Sequence, residues 1–97
     1  MNYKIGAEYA IKDMDQESCF YSFRHLLAGR RVTVHSIDKF SGVVFILFHA
    51  PLPQDYPRLT AAIICNQLPE GAIGILKPGL VPVTDDPIPY DEEDQED

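Results

Sequence analysis

The side chains in this sequence that could do chemistry are three histidines (His25, His35, His49), two cysteines (Cys19, Cys65), a knot of bases around residues 24–31 and a run of carboxylates at the C-terminal end. A structural metal site needs Cys or His ligands in short-spaced pairs, and none of these residues is so paired. A cysteine nucleophile needs a basic, partly exposed setting, whereas Cys19 and Cys65 both stand among apolar residues and read as free, buried thiols. The six glycines form no phosphate-cradling loop. The expectation is therefore a non-enzymatic protein with no catalytic residue, no cofactor and no metal.

Charge is more informative. The net charge of −7 is not spread along the chain. Residues 1–84 hold all eight Lys and Arg against seven of the fifteen acids and so carry +1, whereas residues 85–97 hold eight acids and no base. That division sets two expected parts, a globular domain over 1–84 and an acidic tail over 85–97. The tail carries the candidate partner-binding residues Asp85, Asp86, Tyr90, Asp91, Glu92, Glu93, Asp94, Glu96 and Asp97. Closely spaced carboxylates present the same pattern to a basic surface as a phosphate ladder does, and Ile88, Pro89 and Tyr90 add an apolar anchor. In the domain, Arg24, Arg30, Arg31 and Lys39 form a candidate anion-binding set, with His25 beside it and Tyr21 as a stacking surface. Cations at a helix C-terminus also have a structural role, since they complement the macrodipole.

These groups need elements to position them. With 45% hydrophobic residues and ten aromatics, the chain has enough apolar surface to fold. Alternation over residues 3–12 predicts a strand with Tyr3, Ile5, Ala7, Tyr9 and Ile11 on its apolar side. Asp13 and Gln16 have capping-box spacing, and Cys19, Phe20, Phe23, Leu26 and Leu27 share one helical face before Gly29, which predicts one helix over about 15–28. Strands are expected over 31–37, 43–49, 59–66, 72–77 and 80–83, with Ala61 and Ala62 also suiting a short helix. Pro51, Pro53 and Pro57 make a surface loop between the segments 43–49 and 59–66. The tail has no apolar period and is expected to be disordered alone. The fold class is α+β, mostly β: a small bent antiparallel sheet or barrel of five to six strands with one helix.

Two segments carry a likeness. GRRVTVHSIDKFSGVVFILF, residues 29–48, resembles the middle hairpin of SH3-like small β-barrels, and GAIGILKPGLVPV, residues 71–83, resembles their closing strands. Trp is absent, and with it the paired tryptophans that hold proline-rich peptides in peptide-binding SH3 domains. The resemblance implies a barrel and no particular activity.

The longest apolar run, residues 43–48, is too short to span a bilayer, and no signal peptide is recognised, so a cytoplasmic protein without a membrane partner is expected. The leading expectation is a small protein-binding module whose tail occupies a basic surface of a partner, such as a nucleic-acid-processing complex. Small acidic inhibitors encoded by phages and mobile elements are the analogy. The alternative is a nucleic-acid-binding barrel autoinhibited by its own tail.

Overall fold

The computed structural model describes residues 3–83. The chain runs β1 (Glu8–Asp13), a 3₁₀ turn (Tyr21–Phe23), α1 (Arg24–Leu27), β2 (Arg31–Asp38), β3 (Val43–Phe48), α2 (Pro57–Cys65), β4 (Ile73–Leu76) and β5 (Gly79–Pro82). All five strands join one antiparallel sheet in the order β4-β3-β2-β1-β5. The result is mostly β, with five strands and two short helices.

This order forces the sheet to bend. β4 and β5 are its two edges, yet only Lys77 and Pro78 separate them in the chain. In a flat sheet these edges would lie about 19 Å apart, whereas three Cα steps reach at most about 11 Å. The bend is taken up at two bulges, where the β1–β5 register shifts at Lys12 and the β2–β3 register at His35. Lys77 completes the corner at φ +42°, in the left-handed region. The concave face holds Val32, Val34, Val44, Ile46 and Ile75, all fully buried.

Three expectations about the elements change. Residues 15–20 are not helical, with turns and a bend over 16–20, so the helix expected over 15–28 contracts to a 3₁₀ turn and the four residues of α1. Side chains compete there for the backbone: Glu17 N–H donates to Asp15 Oδ1 at 2.8 Å and Phe20 N–H to Ser18 Oγ at 3.1 Å. Phe20 and Leu27 still reach the core, and Gly29 at φ +83° ends α1 as expected. The segment read as a strand over 59–66 is α2. Pro57 opens it at the first helical position, where the missing N–H costs nothing, and Asn66 closes it through Nδ2 to the Ala62 carbonyl at 2.7 Å. Leu59, Ala62 and Ile63 make its core-facing stripe.

The first strand begins at Glu8 rather than residue 3, because Gly6 turns the chain at φ +86°, and Ile5, expected on the apolar side, is 63% exposed. Both cysteines are free as expected, but they are exposed rather than buried. Cys65 follows the buried stripe of α2, and Cys19 lies in the turn where an unbroken helix would have turned it inward.

Candidate functional site

The convex face of the sheet brings together residues that are far apart in sequence. Glu8 on β1 faces Thr33 on β2, and Thr33 faces Leu47 on β3. Two residues back along β2, Arg31 accepts the His49 amide on its carbonyl at 3.1 Å. The register therefore gathers Glu8, Arg31, Thr33 and His49 into one cluster. Glu8 Oε2 lies 3.3 Å from His49 Nδ1 and 3.9 Å from Arg31 Nη1, while His49 Nε2 lies 2.7 Å from Thr33 Oγ1. The tautomer protonated at Nδ1 satisfies both imidazole contacts, donating to Glu8 and accepting from Thr33.

A hydroxyl–imidazole–carboxylate chain can move a proton, which is the relay of a nucleophilic site. Here the relay lies open to water, with Arg31 58% exposed and Glu8 42%. Exposed ion pairs of this kind contribute about 0 to 1 kcal/mol. The cluster reads best as a hydrogen-bonded seam fixing the β1–β2–β3 register at this end of the sheet. Nothing in the spacing of these residues signals it, because only the register joins positions 8, 33 and 49.

The candidate cations are placed as follows. Arg24 stacks on Tyr21, its guanidinium 4.0 Å from the ring centroid, and donates to the Tyr21 carbonyl at 2.8 Å. The expected stacking surface is thus taken by an arginine of the same set. Arg30 donates from Nε to the Leu26 carbonyl at 2.7 Å, which caps the end of α1. Arg30 and Arg31 line a depression of about 300 Å³ with Phe48, His49 and Ala50. Lys39 is not brought to it: it sits in the β2–β3 turn, at the other end of an eight-residue strand from Arg31. The four-cation set is therefore not one patch. His25 is exposed, and His35 lies 3.9 Å from Glu70. The tail residues Asp85, Asp86, Tyr90, Asp91, Glu92, Glu93, Asp94, Glu96 and Asp97, and the expected disorder there, lie outside the described residues.

Beside the cationic depression opens a larger groove of about 670 Å³ that sequence reasoning missed. Its walls are the end of β3 and the proline loop, with Leu47, Phe48 and Leu52, and α2, with Thr60 and Ile63; Gln67 is also in the lining. The volume falls in the range of ligand-binding clefts, and the lining is apolar with a few polar groups. The proline triplet was the nearest sequence signal, since Pro51, Pro53 and Pro57 cannot donate to a ladder and so mark this segment as a loop outside the sheet.

Among the described residues, no group of three or more His, Cys, Asp or Glu is placed to hold a metal ion. No helix there is long and apolar enough to cross a membrane. Comparisons with protein-family models, curated proteins and solved structures found no match.

Proposed function

We propose that this chain is a small non-enzymatic protein-binding module that uses its acidic tail to occupy a basic surface of a partner, one that otherwise holds nucleic acid. The observation that carries this reading is the division of charge, with eight carboxylates and no base in residues 85–97 against a body of net charge +1. The fate of the body's own cations supports it. Arg24, Arg30 and Arg31 each contact a group of the same molecule, and Lys39 stands apart from them. A body of that kind makes a weak electrostatic footprint for DNA or RNA. We also read the bent sheet as an SH3-like small barrel; its strand order and two-residue corner support this.

The test is affinity capture from the native host with the full chain and with a chain ending at residue 84. The captured proteins are identified by mass spectrometry and challenged with salt and with duplex DNA. The expected result is a set of basic, nucleic-acid-binding partners that require the tail and are displaced by DNA. Capture of the same set by the shortened chain overturns the reading. A gel shift with both chains at two salt concentrations separates the other possibility, because a barrel inhibited by its own tail binds DNA more tightly once the tail is gone.

A further inference from the structure

The groove and the cationic depression share Phe48, His49 and Ala50, so they form one continuous surface, an apolar trough with a basic end. One segment of this chain has the complementary chemistry in the matching order, Asp85 and Asp86 followed by Pro87, Ile88, Pro89 and Tyr90. We infer that residues 85–90 dock on this surface within the same molecule, with Asp85 and Asp86 against Arg30 and Arg31, and Ile88 to Tyr90 in the trough.

The sheet register determines whether the segment can reach. On the exit strand β5, Val81 faces Ala10, and Ala10 faces Arg31. Arg31 in turn receives the His49 amide. The row Val81–Ala10–Arg31–His49 thus crosses the sheet from the exit strand to the groove, and Val81, Arg31 and His49 on it are exposed. With strands about 4.8 Å apart, Arg31 lies about 10 Å across the sheet from Val81 and His49 about 14 Å; Val83 starts two residues or about 7 Å off this row, so the spans from it are about 12 and 16 Å. An extended chain leaving Val83 advances about 3.3 Å per residue, which carries Asp85 and Asp86 about 7 to 10 Å and Ile88 about 16 Å. The carboxylates come within side-chain reach of Arg31 and the apolar residues level with the groove.

Two further features favour this occupant. Proline fixes its φ, so a segment with prolines at 87 and 89 has less conformational entropy to lose on docking than an ordinary tetrapeptide. Glu8, a carboxylate beside the path, is already engaged by His49 and Arg31, which lessens its repulsion of the incoming acids. The inference goes beyond partner binding and does not depend on it. A docked tail would be released when a more basic surface competes for its charges, and the six carboxylates from Asp91 onward remain available to start that exchange.

The experiment uses the full chain with Cys19→Ser and Cys65→Ser, since both thiols are exposed, and a nitroxide label on Gln95→Cys. Paramagnetic broadening is read on the backbone amides by NMR. The expected result is loss of most amide intensity at Leu47, Leu52, Ile63 and Gln67, with Lys39 and Phe40 retained. Adding Ile88→Ala with Tyr90→Ala should restore the groove signals, and Asp85→Asn with Asp86→Asn should weaken the broadening and its sensitivity to salt. A mixture of nitrogen-15 chain without label and unlabelled chain with nitroxide should show no loss. Broadening that spares the groove, that survives the Ile88/Tyr90 double substitution, or that appears in the mixed sample overturns docking within one molecule. Host capture is scored separately, so failure of one reading leaves the other standing.

Discussion

The concave face of the sheet and the α2–proline-loop flank are built from similar residues and packed to different standards. On the sheet, Val32, Val34, Val44, Ile46 and Ile75 are closed from solvent by neighbours in register. Gly74 is closely packed on the opposite, convex face, because a Cβ there would fall 2.8 Å from the Phe45 ring and 3.0 Å from Val43 Cγ1. On the flank, nine residues of α2 contribute a single fully buried side chain, Leu59, while Ile64 is 68% exposed and the groove lies between the helix and the loop. A sheet whose strands pair on both sides has few ways to rearrange, whereas a helix tethered through a proline loop can leave room for another chain. The difference assigns most of the packing stability to the first region and leaves the second as the more open surface.

That contrast can be broken most directly at Ile46. Ile46→Ala should lower unfolding stability by about 2 to 5 kcal/mol, as loss of a packed core side chain does. The effect should appear as a lower urea midpoint at unchanged slope; a loss within about 0.5 kcal/mol would mean that the face is not close-packed. Gly74→Ala comes next, at about 1 to 3 kcal/mol, because the Phe45 ring must move aside. Ile64→Ser should shift the same midpoint by no more than about 0.5 kcal/mol. A cost on the scale of Ile46→Ala would show that α2 is packed as tightly as the sheet.

The smallest effect belongs to an exposed turn. Asp38 has its carboxyl held below its ordinary value of 3.8, first by the Ser41 hydroxyl and then by the Phe40 amide. A carboxyl that titrates lower when folded adds stability that is complete above about its unfolded value and is lost as pH falls through the lowered one. Asp38→Asn should therefore flatten the acid limb of the stability profile below about pH 3.8 and leave the neutral region unchanged in shape. An unaltered acid limb would remove Asp38 from the account.

Much of the sheet was legible because its signals are local. Alternation marked β1 from Glu8 onward, the β-branched runs marked β2 and β3, and the Asp38–Gly42 turn marked the hairpin between them. The α2 segment was ambiguous for a physical reason. An apolar run such as LTAAIIC satisfies a buried strand and a helical stripe equally, and Pro57 at its start was the cue that separated them. The helix over 15–28 was overestimated because periodicity does not register side chains such as Asp15 and Ser18 that bond to the backbone in its place. The candidate site divides the same way. The acidic tail was visible as charge, while the cluster of Glu8, Thr33 and His49 and the groove were not.

By itself the sequence determined where charge resides, because composition along a chain needs no folding, and which segments alternate as strands, because that pattern is written in neighbouring residues. Only the tertiary structure decided that Lys39 stands apart from Arg30 and Arg31, that Cys19 and Cys65 face solvent, and that a groove opens beside the basic end of the sheet. Those outcomes depend on strand register, on two bulges and on a two-residue corner joining the sheet's edges. They are relations between distant residues, set by which strands pair and how far the sheet bends.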